Sequence, residues 1–201
     1  MLQKLAIAMA GAATLALATP SIAQPWIETP EAKMEAARAA DQARADMIAK
    51  WGHADLAPGK YLWDTDAARD GAARIVVSLD QQMAYLYRGD ELVAVTTVSS
   101  GKPGKDTPPG IFPILEKKRM HHSRKYDNAP MPFMQRLTWD GVALHAGNLP
   151  GYPASHGCVR LPLAFAERLF TTTGIGSERE KRATAALQIV SISTHSSSDP
   201  S

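Results

Sequence analysis

The sequence predicts a mainly β domain with one or two short helices, preceded by an α-helical N-terminal extension. Three observations predict it. Apolar residues recur with period two in three successive runs from Arg74 onward. Asp140-Gly141, a strong tight-turn signal, separates two further runs of strand character. An Ala-rich stretch with helix-start residues comes before all of them. The chain has 201 residues, 45% hydrophobic and 21% charged, which fits one domain plus extensions and excludes a mostly disordered chain. Lys and Arg number 22 against 20 Asp and Glu, for a formal net charge of +2; that near-balance argues against a nucleic-acid binder.

Residues 1–23 read as a signal peptide. Lys4 is the one charge at the start, an apolar run from Leu5 to Ala18 follows, and Thr19-Pro20 breaks it. Ser21-Ile22-Ala23 then offers small residues before a cut. The run is shorter than the ~20 residues that span a bilayer, so no stable membrane span is expected after cleavage. The mature chain begins near Gln24 and is exported. Without Lys4 it carries 21 basic and 20 acidic residues, a net +1.

Residues 24–71 are expected to be a helical and linker extension. Over 30–51, Pro30 suits a first helical turn, and Glu31 and Glu35 lie near the positive end of the helix dipole. Met34, Ala37, Ile48 and Trp51 form only a thin apolar stripe, so this reads as a largely solvated helix, packed loosely or acting as a spacer. Residues 52–72 are rich in Gly, Pro, Asp and Ala and read as linker, with Tyr61, Leu62 and Trp63 tucked against the domain.

The domain itself is expected over 72–193. Ile75, Val77 and Leu79 form one alternating set and Met83, Tyr85 and Tyr87 a second. Gly89-Asp90 then turns the chain into Leu92–Ser99, completing an antiparallel meander. Ser99–Gly110 is a Gly-, Pro- and Lys-rich loop. Ile111–Leu115 is a strand, and Pro113 within it implies an edge or bulge position. Residues 116–133 are polar, basic and irregular; they read as a long loop of the kind that serves as a lid. Met134–Trp139 and Val142–Ala146 form the hairpin across Asp140-Gly141. Pro162 opens a helix through Phe170 with Leu163, Ala166, Leu169 and Phe170 on its apolar side. Leu187–Ile192 is a closing strand, and 194–201 is a Ser-rich flexible tail.

The chemistry concentrates between Leu144 and Leu161, reading LHAGNLPGYPASHGCVRL, which holds the single cysteine, two histidines and an arginine. One cysteine excludes an internal disulfide. A lone Cys158 is most often a small buried apolar residue, but a nearby imidazole that takes its proton makes it a nucleophile. His145, at the end of a strand, is placed to reach across a pocket. His156, two residues from Cys158, is a neighbour and not necessarily the base. Gly157 permits backbone angles at which local amides converge on an oxyanion, and Arg160 suits bidentate binding of a carboxylate. Zinc on His145, His156 and Cys158 is the other reading; the absence of a second Cys or an H-E-x-x-H pair weighs against it.

These residues resemble the L,D-transpeptidase (YkuD-like) catalytic family. Its signature is matched by His145, then Ser155-His156-Gly157-Cys158, then Arg160. Thr107-Pro108-Pro109-Gly110-Ile111-Phe112 matches a second, weaker segment. The resemblance covers roughly 72–193. It implies a β-sandwich-like domain and cysteine acyl transfer without cofactor or metal. By position, Cys158 would be the nucleophile and His145 the base, its ring oriented by the Ala146 carbonyl. His156 would support the pocket and the thiolate, and the Gly157 and Cys158 amides would form the oxyanion hole in a loop that begins at Ser155. Arg160 would hold that loop or a substrate carboxylate, and Tyr126, Met131 and Phe133 would line the donor side.

The gap between His145 and Ser155 is shorter than in many members, which reshapes the pocket wall. The implied activity is periplasmic cross-linking of peptidoglycan stem peptides, 3→3 or 1→3, with donor and acceptor stems as partners and carbapenems as inhibitors. Two rivals stand beside it: a cysteine L,D-carboxypeptidase or amidase with the same site, and a non-catalytic wall-binding protein.

Overall fold

A computed structural model describes residues 29–67 and 70–176, and the backbone of 186–190. The signal-peptide, residue 191–193 and tail readings lie outside the described residues. Among the described residues no helix is long and apolar enough to cross a membrane.

Helix α1 spans Pro30–Trp51. The Thr29 hydroxyl accepts the Ala32 N–H at 3.2 Å, and Gly52 closes the helix at φ 72°. Its buried stripe is Ala32, Ala36, Ala40, Ala43 and Met47, at the three- and four-residue spacing of one helix face. The expected stripe is half right: Ala37 and Trp51 pack against the cluster under the helix, but Met34 is 57% exposed and Ile48 41%. Nor is the helix a spacer. Its small alanines allow close approach to a sheet, and the true contact face is too weakly apolar to stand out in sequence. Lys50 ties its end to Asp64 at 2.6 Å and to the Leu92 carbonyl at 2.8 Å.

Among the described residues ten strands follow the helix, interrupted once by α2. They are β1 Tyr61–Trp63, β2 Ala73–Ser78, β3 Met83–Arg88, β4 Glu91–Thr97, β5 Gly110–Pro113, β6 Glu116–His122, β7 Pro130–Arg136, β8 Ala143–Ala146, β9 Val159–Leu161 and β10 Ala186–Val190. Helix α2, Leu163–Thr172, lies between β9 and β10. A six-stranded sheet runs β1-β4-β3-β2-β10-β5, and a four-stranded sheet runs β6-β7-β8-β9. The meander β2–β3–β4 is as expected, and β10 enters parallel to β2. Pro113 ends the edge strand β5, where a missing N–H disrupts no central ladder.

Both faces of the six-stranded sheet are covered. Val76, Met83, Tyr85, Tyr87 and Val95 pack under α1. Ile75, Val77, Ala84, Leu86 and Val93 point the other way, into the main core with Leu144, Val159 and Leu161 of the second sheet and Phe165 and Leu169 of α2. The mainly β, two-sheet architecture agrees with the sequence reading.

The long loop expected over 116–133 is instead the hairpin β6–β7 with a turn at 123–129. β6 reads Glu-Lys-Lys-Arg-Met-His-His; at the sheet edge it pairs on one side only and buries neither face, so apolar alternation is absent.

Candidate active site

The second sheet sorts its residues by parity. On β8 and β9, Leu144, Ala146, Val159 and Leu161 enter the core. The intervening Ala143, His145, Cys158 and Arg160 line a cleft of about 1080 Å³ on the opposite face. β8 and β9 are parallel, with His145 opposite Arg160 and Leu144 opposite Val159. Cys158, just before β9, therefore sits one strand over and two residues back from His145. That puts the two Cα atoms roughly 8 Å apart, within joint reach of a thiol and an imidazole.

The His145 ring is buried, and its Nδ1 lies 2.8 Å from the Ala146 carbonyl. A carbonyl only accepts, so Nδ1 carries the hydrogen and Nε2 is left as the proton acceptor. Burial pushes the His145 pKa below its ordinary 6.5, and the Arg160 charge adds to that, against the bond to Ala146. Burial also raises the Cys158 thiol. The Ala143 N–H and the Arg160 and Arg136 charges oppose this without reversing it. Sγ donates to the Gly141 carbonyl at 3.4 Å. Both shifts favour the uncharged forms, the thiol of Cys158 and the imidazole of His145. Met131, Met134 and Ala143 pack against Cys158 as the apolar floor that desolvates it.

The loop bearing Cys158 is held from behind. Ser155 Oγ donates to the Cys158 carbonyl and accepts the Gly157 N–H at 3.1 Å. The Ser155 amide donates to the Ser100 carbonyl at 2.9 Å, and Lys102 N–H donates to the Ser155 carbonyl at 3.0 Å. Gly157 has φ +114°, a conformation closed in practice to side-chain-bearing residues. Gly101 is fixed by proximity: a Cβ there would lie 2.0 Å from the Lys105 carbonyl oxygen.

Of the residues singled out in sequence, His145, Ser155, His156, Cys158, Arg160, Tyr126 and Met131 all line the cleft. His156 is exposed on its rim, where its ring stacks on Tyr126 at 4.5 Å. The Arg160 stem lies against Gly147, whose missing Cβ makes room for it. Two expectations are corrected. Phe133 does not line the cleft but packs 5.9 Å from Phe170, on the core side. Its φ of +54° breaks the alternation, so Met131 and Met134, three apart, share the cleft face. The Gly157 amide is engaged by Ser155 and so is not a free oxyanion donor.

His121 also lines the cleft, from the strand read as loop. Sequence reasoning missed two other features: Trp139 and Leu163 stand 65% and 61% exposed on the rim. Leu163 was expected on the buried side of its helix. An aromatic flanking the Asp140-Gly141 turn was the available signal for Trp139. Among the described residues no three His, Cys, Asp or Glu side chains are grouped to hold a metal.

The profile of the L,D-transpeptidase catalytic domain (YkuD) matches residues 72–183, more than half of the chain. No curated protein matches it. Among solved structures, it is similar to an L,D-transpeptidase from Stackebrandtia nassauensis (23% identity, TM-score 0.51, covering 73% of this chain and 64% of that one). It is also similar to the L,D-transpeptidase LdtMt1 in complex with imipenem (23%, 0.52, covering 60% and 59%). A third is L,D-transpeptidase 3 from Mycobacterium tuberculosis in complex with a faropenem-derived adduct (21%, 0.52, covering 60% and 60%). At these identities the likeness is one of fold, and the chain spans about three fifths of the length of these structures. Cleft, fold and profile together place the chain in the L,D-transpeptidase catalytic domain family.

Proposed function

We propose that the protein is an exported, periplasmic enzyme that cross-links peptidoglycan stem peptides through a thioester on Cys158. The observation that carries this reading is the placement of Cys158, His145 and Arg160 on one face of a parallel strand pair, with Nδ1 of His145 already bonded.

In the proposed reaction, Sγ attacks the carbonyl carbon of an L-centre in the donor stem. Nε2 of His145 takes the thiol proton as the S–C bond forms, and the carbonyl π electrons move to oxygen. Collapse breaks the C–N bond, and His145 returns the proton to the departing amine of the D-residue. The amine of a second stem then attacks the thioester, its proton passes to His145, and Cys158 leaves as the thiol. A neutral imidazole is what the first step needs, and burial of His145 supports that state. Arg160, with Arg124 and Lys125 on the hairpin turn, gives the cleft a cationic wall suited to the stem carboxylates.

Water in place of the second amine would make the enzyme a carboxypeptidase. Incubation with a disaccharide-tetrapeptide separates the readings by mass spectrometry. A dimer lacking one D-Ala, absent with Cys158→Ala, is the expected product. Tripeptide alone would replace transfer with hydrolysis, and no turnover with intact sacculi or tetrapeptide would refute the enzymatic reading.

A further inference from the structure

We propose that Thr107 is a positioning residue that aims the Cys158 amide into the cleft as the oxyanion donor; this rests on the acyl-transfer reading above. Thr107 is 3% exposed and does not line the cleft. Its Oγ1 accepts the Gly101 N–H at 2.9 Å, so its one hydrogen is directed elsewhere, onto the Gly157 carbonyl at 3.0 Å.

That carbonyl shares a peptide plane with the Cys158 N–H. The described chain has no cis peptide bonds. In a planar trans unit the C=O and N–H point in opposite directions. Holding the Gly157 oxygen toward the buried Thr107 therefore turns the Cys158 N–H away from it, to the side where Sγ meets the cleft. Ser155 pins the carbonyl on the other side of Cys158. With the Gly157 N–H also engaged by Ser155, the Cys158 amide, on the residue that bears the nucleophile, is the donor proposed to meet a developing oxyanion.

At φ +114° Gly157 has a permissive backbone, and the 157–158 peptide can rotate unless something fixes it. The Thr107 hydroxyl is that fixture. As the thiolate carbon–sulfur bond forms, negative charge moves to the carbonyl oxygen and is met by an amide already aimed at it.

Two reactions of the same thiol test this in the full-length protein. Imipenem acylation passes through an oxyanion; iodoacetamide alkylation does not. Thr107→Val removes the hydroxyl at constant shape. It should lower the first-order rate of acylation by about 10–100-fold, somewhat less than complete loss of an oxyanion donor. The half-saturating imipenem concentration and the alkylation rate should stay within about twofold, and Thr107→Ser should restore acylation. Thr107→Ala gives the same comparison should valine prevent folding, which thermal unfolding reports.

Wild-type acylation rates in the Val or Ala variant would overturn the assignment. So would an equal fall in acylation and alkylation, which marks general loop collapse, or a Ser variant that does not recover. A wild-type protein that alkylates but never acylates would refute the acyl-transfer reading itself, and this assignment with it.

Discussion

Replacing Met47 with alanine tests whether α1 is a structural layer of the domain or an appendage. The Met47 side chain is fully buried, and it belongs to the cluster formed with Val76, Tyr85, Tyr87, Leu92 and Val95. Truncation removes its transfer free energy and leaves a cavity between a helix and a sheet that are both tied down. Lys50 bonds to Asp64, and the Tyr87 hydroxyl donates to Asp46 at 2.6 Å. Neither side can collapse freely into the gap, so a loss near the middle of the ~2–5 kcal/mol range for such truncations is expected. At about 3 kcal/mol, Tm falls by roughly 6–12 °C for a chain of this size. Met34→Ala, on the same helix but 57% exposed, should stay within about 0.5 kcal/mol. Urea denaturation of both variants, followed by far-ultraviolet circular dichroism, measures the difference. Equal small effects would refute the layer argument and return α1 to the role of a solvated spacer.

The remaining predictions concern the cleft. His145 titrates below its ordinary 6.5, so imipenem acylation should hold from neutral pH down to about 6.5 and fall only below that, as Nε2 is protonated. Folding stability should decline over the same descent, because the unfolded imidazole binds a proton before the buried one does; urea titrations at stepped pH read it. Iodoacetamide alkylation should rise with pH above the ordinary thiol range, since burial raises the Cys158 thiol; a plateau already at pH 7 would mean a preformed ion pair. Tyr126→Ala removes the ring stacked on His156 and loosens the hairpin turn from the cysteine loop. It should raise the share of tripeptide over dimer in the tetrapeptide assay with little change in Tm, and an unchanged product ratio would deny the turn a role in excluding water.

What could be read in sequence follows from which interactions leave a local trace. The meander over β2–β4 did, because the turn at Gly89-Asp90 separates runs whose apolar residues recur with period two. The limits of α1 did too: Thr29 and Pro30 start it, and Gly52 ends it in a left-handed conformation. Its buried face did not, since alanines at the contact carry little hydrophobic signal even where they pack tightly. β6 left no trace because an edge strand with polar residues on both faces has nothing to alternate. The reversal at Phe133 is a backbone event; Met-Pro-Phe-Met gives no hint that φ turns positive there. In the site, His145, Cys158 and Arg160 were legible through side chains that bear chemistry. Thr107 was legible only as part of a matching segment and Gly141 only as a turn residue; what they do was not, because Thr107 meets only main-chain groups and Gly141 offers only its carbonyl.

The upward shift of the Cys158 thiol bears on why the cleft floor is apolar. A permanently ionised thiol would react with oxidants as readily as with substrate, since the thiolate is the reactive form. In the exported location proposed for this protein, with a single cysteine and no internal partner to resolve an oxidised one, that exposure would be continuous. Met131, Met134 and Ala143 pack against Cys158, whose burial raises its pKa, while the Arg160 and Arg136 charges lower it. The two effects oppose each other at rest, and desolvation dominates. In the proposed reaction a bound stem peptide would change the balance by bringing its carbonyl to the Cys158 amide, so that charge leaving sulfur has a place to go. Activation would then be coupled to occupancy. Replacing Met134 with a polar residue of similar length should therefore speed alkylation of the free enzyme without a matching gain in acylation.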